Sequence, residues 1–228
     1  MMVETVLRAA ELCAALYRPG AAADPNFAVY DEGNDDGICW AIAHDADADI
    51  VILRGSVTPE DWFDDIQARP YLSRRMGYVH RGFYLGMDNA WTDIRKGLRG
   101  KPITVTGHSL GAARSALLTG MMLCDGITPT ARVAFGEPKP GFAELATLIA
   151  GVAQRSYRNG VNEAHDVVTD LPFTLPRLGL DYVHPKLLTL LPAQPDPNDN
   201  SGIFCYHHMD LYLKSLTAAF AGIGDKQC

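Results

Sequence analysis

The stretch Gly107-His108-Ser109-Leu110-Gly111 constrains this chain more than any other. It follows the β-branched run Ile103-Thr104-Val105-Thr106 and leads straight into an Ala- and Leu-rich segment from Leu110 to Cys124 that reads as a helix. A strand that turns into a helix within so few residues leaves no room for bulky side chains across the turn, and the two glycines meet that demand. In this strand-to-helix setting, Gly-x-Ser-x-Gly is the pattern of a sharp, strained turn that lifts a serine hydroxyl above the end of a sheet. The flanks carry the inference, because the same five residues in isolation also describe an ordinary Gly/Ser turn.

The rest of the chain supplies elements of the matching kind. Asp49 to Arg54 is a short apolar run that reads as a buried strand, with Ile38 to Ile42 as its antiparallel neighbour. Between Gly82 and Leu98 the apolar residues Phe83, Met87, Trp91, Ile94 and Leu98 recur at helical spacing, predicting one crossover helix that closes at Gly100. Arg132 to Phe135, Gln154 to Arg158 and Leu187 to Leu191 read as further strands, and His207 to Phe220 as the last helix. At the start, Val3, Val6, Leu7, Ala10, Ala14 and Tyr17 line one side of an amphipathic helix that would dock on the core. Pro192 to Gly202 has no apolar anchor and reads as a surface loop. Strands alternating with helices imply a mostly parallel central sheet with helices on both faces, and the serine turn makes this an α/β fold of the α/β-hydrolase kind. With 228 residues, the expectation is a single domain over 1–228.

Composition narrows the function. Apolar residues make up 47% and charged ones 21%, the balance of a globular chain with a sizeable core. Acidic residues outnumber basic ones by 27 to 20, for a formal charge of -7, and the basic ones are scattered, which argues against nucleic-acid binding. No apolar run approaches the roughly 20 residues a membrane-spanning helix needs, and the N-terminus lacks the pattern of a secretory signal, so the expectation is a cytoplasmic protein unless it is exported by another route. The five cysteines, Cys13, Cys39, Cys124, Cys205 and Cys228, show no paired spacing and read as reduced thiols.

A serine hydroxyl at neutral pH is a weak nucleophile and needs a histidine to take its proton, with a carboxylate to orient that histidine. On this fold the chain order is Ser, then Asp or Glu, then His. Only His165, His184, His207 and His208 follow Ser109, and His165 precedes the best carboxylate, Asp166. Several separate segments, in the right order between about Ile50 and Tyr212, resemble the class 3, fungal-type triacylglycerol lipases. Arg54-Gly55-Ser56 followed by Trp62, Val79-His80-Arg81-Gly82-Phe83, the Thr106 to Gly111 turn, and Phe135-Gly136-Glu137-Pro138 are each similar to a family segment. So are Asp166-Val167-Val168-Thr169-Asp170-Leu171-Pro172 and the closing His207 to Tyr212. Ala112-Ala113 stands where the family usually has a further glycine, and His165 where an Asn commonly precedes the acid.

The resemblance implies a carboxylic ester hydrolase acting on lipid or other small esters, with Ser109 as nucleophile, Asp166 as acid and His207 as base. Asp170 as acid and His208 as base stay open at this stage, as do a lipase-like binding or regulatory domain that does not turn over and an esterase or phospholipase for a different ester substrate. It also implies an oxyanion hole in which Ser56 joins the backbone N–H of Leu110, the residue after the nucleophile. Residues 57–78, with Trp62, Phe63, Ile66 and Tyr71, correspond to the family's mobile lid, or to an ordinary amphipathic surface helix. His80 and His108 would brace the turn, and His184 would be a satisfied loop histidine. Asp45 to Asp49 lacks the glycine and closing Glu of a calcium loop, and Asp31 to Gly37 reads as a hairpin turn, so neither is a metal site. No phosphate loop or nicotinamide fingerprint is present, and the expected chemistry uses no cofactor.

Overall fold

The computed structural model describes residues 1–33, 37–56 and 69–224. Strands β1 (Val29–Asp31), β2 (Trp40–His44), β3 (Asp49–Leu53), β6 (Ile103–His108), β7 (Ala131–Phe135), β8 (Ala153–Val161) and β10 (Leu188–Pro192) form one sheet in the order β1-β2-β3-β6-β7-β8-β10. From β3 to β10 the neighbours are parallel, whereas β1, β2 and β3 pair antiparallel. The two-residue β9 (Ala164–His165) folds back on β8, and β4 (Pro70–Ser73) with β5 (Gly77–His80) makes a separate hairpin. The helices are α1 (Val3–Ala15), α2 (Arg81–Tyr84), α3 (Met87–Ile94), α4 (Leu110–Cys124), α5 (Ala143–Ile149) and α6 (Met209–Gly224). This is the α/β-hydrolase arrangement. No helix of the described residues is long and apolar enough to cross a membrane.

Period-two alternation divides the sheet's side chains between two cores. Trp40, Ile42, Val51, Leu53, Ile103 and Val105 face α3, α4 and α5. Ala41, Ala43, Ile50, Ile52, Val133 and Phe135 face the opposite way, toward α1 and α6. Covered on both sides, β3 is buried along its whole length, which is why it reads as an unbroken apolar run. Small residues let α1 approach closely: Ala9, Ala10 and Cys13 are buried, and the Cys13 thiol lies 3.5 Å from Thr106 Oγ1.

Local departures from the sequence reading have local causes. The crossover expected as one helix over 82–98 breaks after Tyr84, where Gly86 takes a φ of 84° and Leu85 turns out to solvent. It then ends in a 3-10 turn at Arg95–Gly97. The apolar spacing was nonetheless correct, since Phe83, Met87, Trp91 and Ile94 are all buried. Strand β2 starts two residues later than the pattern suggests, and α6 begins at Met209 rather than His207. The β4–β5 hairpin and α5 were not anticipated, the hairpin because its first three residues are exposed and show no alternation. The Asp31 to Gly37 connection does join an antiparallel pair, β1 and β2, although Asn34, Asp35 and Asp36 lie outside the described residues. The lid reading falls mostly on residues 57–68, which are likewise outside them.

Candidate active site

Ser109 sits between the end of β6 and the start of α4 with φ 60° and ψ -132°, a conformation that costs a non-glycine residue of order 1–3 kcal/mol. Packing across the turn enforces it. A Cβ on Gly107 would lie 2.3 Å from the Gly111 carbonyl oxygen, and one on Gly111 would lie 2.0 Å from that of Leu53 in β3. The turn is therefore clamped between its own helix and the neighbouring strand. The Ser109 N–H donates to the Phe135 carbonyl at 3.0 Å, which ties it to the end of β7. Leu110 follows as the first residue of α4, where the backbone N–H groups of a helix lack intrahelical acceptors and carry the positive end of its dipole.

Asp166 and His207, far apart in sequence, meet beside Gly136. His207 Nδ1–H donates to Asp166 Oδ2 at 2.7 Å, and the Tyr212 hydroxyl donates to the same oxygen at 2.6 Å. The other oxygen, Oδ1, accepts the Val168 N–H at 3.0 Å, so Asp166 also caps the short 3-10 turn Val167–Asp170. Burial alone would raise the Asp166 carboxyl. The adjacent His207 and the hydrogen bonds from His207 and Tyr212 outweigh it and hold the group below its ordinary range. Asp166 is thus an ionised carboxylate wholly inside the protein. Ser109 Oγ and His207 Nε2 are both buried, and neither has a hydrogen-bond partner among the described residues.

The rival residues point elsewhere. Asp170 accepts from His165 Nε2 at 2.7 Å and lies 3.5 Å from Arg158. His208, half exposed, meets Asp199 at 3.1 Å and Ser201 Oγ at 3.0 Å. His184 Nε2 donates to the Thr169 carbonyl at 2.9 Å, and His80 Nδ1 accepts the Phe83 N–H at 3.3 Å, capping α2. Asp49 pairs with Arg99 and His44, and Asp45 with Arg8. Among the described residues no group of three or more His, Cys, Asp and Glu is placed to hold a metal ion.

His108 makes bracing hydrogen bonds, as its place beside the turn suggested; two other participants, Tyr17 and the pair Arg132 and Glu137, were not legible as such. His108 Nε2 lies 2.7 Å from the His207 carbonyl oxygen, which can only accept, so that nitrogen carries the proton. Its Nδ1 must then accept from the Tyr17 hydroxyl at 2.9 Å, and the Tyr17 oxygen in turn accepts the Gly55 N–H at 2.9 Å. Burial, with nearby His207 adding to it, pushes His108 down to about 3, so it stays neutral. This chain of hydrogen bonds ties the loop bearing Ser56 to the backbone of His207. In sequence Tyr17 reads only as an apolar position of the first helix. The second is the buried pair Arg132 and Glu137; its one signal is a charge set inside an otherwise apolar strand. A cleft of about 420 Å³ opens beside the Tyr17–His108–His207 chain, lined by Tyr17, Ser56, His108, Phe204, His207 and Met209.

A mostly parallel sheet flanked by helices on both faces, with a strained serine at a strand-to-helix turn and a buried carboxylate–imidazole pair beside it, is the arrangement of the α/β-hydrolase fold. The chain belongs to the class 3 lipase family, whose model, lipase (class 3), matches residues 50–175. That stretch includes Ser56, Ser109 and Asp166, while His207 and Tyr212 lie beyond it. A lipase from Caenorhabditis elegans is 32% identical over 105 residues, which is 42% of this chain and 29% of that protein. The chain therefore matches less than a third of the length of this curated relative. Among solved structures, the lipase from Rhizopus microsporus var. chinensis superposes with a TM-score of 0.69 at 16% identity, covering 92% of this chain and 85% of that one. The Rhizomucor miehei lipase propeptide complex gives 0.67 at 18% identity, covering 88% and 70%. At such identities the likeness is one of fold.

Proposed function

We propose that this protein hydrolyses carboxylic esters, of lipid or similar type, through an acyl-enzyme formed on Ser109. His207 Nε2 takes the Ser109 hydroxyl proton as Oγ bonds to the ester carbonyl carbon. The carbonyl oxygen becomes an oxyanion, held by the Leu110 N–H and by Ser56. As the tetrahedral adduct collapses, the carbon–oxygen bond to the alcohol breaks, and the imidazolium returns its proton to the departing alkoxide. Asp166 keeps His207 in the right tautomer and stabilises its positive charge. Water then repeats the attack on the acyl group with His207 as base and frees Ser109. His207 carries each proton, so the steps call for no cofactor.

The observation that carries this reading is that a strained, buried serine hydroxyl with no hydrogen-bond partner among the described residues, and a buried imidazole whose Nδ1 is held by an ionised carboxylate, both lie against the Phe135–Gly136 turn. Such groups are expensive to leave unpaired unless the site completes itself with substrate. The exposed side chains of Phe173, Leu175 and Leu178, on the loop after the Asp166 segment, support action where lipid meets water. A fluorophosphonate should label the wild-type chain rapidly and the Ser109→Ala variant not at all. Absence of labelling in the wild type would instead favour a lipase-like scaffold without turnover. Rates over p-nitrophenyl esters of increasing chain length, beside a triglyceride emulsion, identify the substrate class.

A further inference from the structure

Arg132 in β7 and Glu137 just after it form an ion pair in which both side chains are fully excluded from solvent. Two buried charges are costly to desolvate, and apolar residues of similar size often do as well or better for stability. The surroundings of this pair explain it by position instead. Arg132 Nε donates to Ser115 Oγ at 2.9 Å, one terminal nitrogen to Gln154 Oε1 at 3.1 Å, and the other to both the Ala112 carbonyl at 3.0 Å and Glu137. Ser115 Oγ donates to the same Ala112 carbonyl at 2.6 Å. Ala112 belongs to the first turn of α4, and its N–H donates to the Ser109 carbonyl at 2.9 Å.

Glu137, at the other end of the pair, accepts from Ser156 Oγ of β8 at 3.0 Å and directly follows Gly136. Gly136 is packed against the acid and base: a Cβ there would lie 2.8 Å from Asp166 Oδ2 and 3.0 Å from His207 Cε1. One side of the ion pair therefore grips the turn bearing Ser109, and the other grips the turn against which Asp166 and His207 rest. Hydrogen bonds constrain direction as well as distance, whereas apolar contact constrains neither sharply and would let the two turns slide.

The geometry points to Arg132 and Glu137 as a positioning pair that sets the distance between Ser109 and the Asp166–His207 couple, an inference that rests on the roles assigned to those three residues above. Loss of the pair moves the reacting groups apart without touching the side chains that line the cleft beside His207. The test compares the wild-type chain with Arg132→Met/Glu137→Leu, with the milder Glu137→Gln, and with Asp49→Asn, a control that breaks the ion pairs of a buried carboxylate with partly exposed partners at the start of β3. All are assayed well below their own melting temperatures. In the double variant kcat and the rate of fluorophosphonate labelling fall together by roughly 10- to 100-fold, as expected for a small misplacement of catalytic groups. KM stays within about twofold, since the cleft is unchanged. Glu137→Gln, which keeps shape and hydrogen bonding, shows a smaller loss in the same direction, and Asp49→Asn loses stability but keeps kcat.

A second readout does not depend on turnover. The His207 Nδ1 proton, in its bond to Asp166, gives a low-field NMR resonance in the wild type that shifts or broadens in the double variant and stays in place in Asp49→Asn. A wild type that fails to label but shows this behaviour overturns the proposed hydrolysis and leaves the positioning inference standing. Unchanged kcat and an unmoved His207 resonance in the double variant, or in Glu137→Gln should the double variant not fold, overturn the inference. A loss of kcat of equal size in Asp49→Asn does so as well.

Discussion

Gly136→Ala adds one methyl group at the point where Asp166 and His207 meet. Gly136 has φ 57°, a left-handed conformation that costs an alanine about 1–2 kcal/mol. The new Cβ would also stand 2.8 Å from Asp166 Oδ2 and 3.1 Å from His207 Nδ1. Ordinary contact requires several tenths of an ångström more. Neither neighbour can retreat freely, because Asp166 is held by the Val168 N–H and Tyr212, and the His207 backbone by His108. Overpacking of this kind adds about 1–3 kcal/mol, for a total near 2–5 kcal/mol in destabilisation. The shift should also spoil the approach of His207 to Ser109. A displacement of about 1 Å costs up to about 100-fold in rate, so roughly half of that predicts a loss of kcat of order tenfold in the folded fraction. Urea unfolding measures the first effect. Hydrolysis of a p-nitrophenyl ester, normalised to active sites titrated by fluorophosphonate, measures the second. A variant that is destabilised yet turns over at the wild-type rate per folded molecule would refute the claim that this contact sets the working geometry.

Other perturbations separate the remaining roles. If Ser56 fills the oxyanion role proposed for it, Ser56→Ala should lower kcat roughly 100- to 1000-fold with little change in melting temperature, and steady-state kinetics at saturating ester decide it. Tyr212→Phe removes a donor to the buried Asp166 carboxylate and should destabilise the fold by about 1.5–3 kcal/mol at neutral pH. Because Asp166 is depressed in the folded state, its stabilisation is present above the unfolded value near 4 and is lost as the pH falls through the folded one. The gap between variant and wild type should therefore narrow below about pH 4 in urea titrations. His108 is held neutral, falling from 6.5 to about 3 on folding. Between these values the unfolded chain binds the extra proton, so stability is full above pH 6.5 and declines on acidification by up to about 1.4 kcal/mol per pH unit. His108→Asn should flatten that slope in denaturant melts collected across the window.

Much of this protein is written in contiguous residues. The apolar run of β3, the strand-to-helix turn at Ser109 and the whole span of α4 are legible because each follows from local requirements: burial on both faces, room across a tight turn, and helix propensity. The order of Ser109, Asp166 and a later histidine is likewise a property of the chain. Neighbouring residues, however, point in different directions, and only the packed structure separates His207, 1% exposed and bonded to Asp166, from His208, 48% exposed and bonded to Asp199. Tyr17 is an apolar position on a helical wheel until the docking of α1 brings its hydroxyl between Gly55 and His108. Arg132 and Glu137 are close in sequence, but the partners that give the pair its meaning come from α4 and β8. Spacing encodes which face of an element is buried; which polar atoms meet across that interface depends on distances between segments, and those exist only once the sheet has assembled.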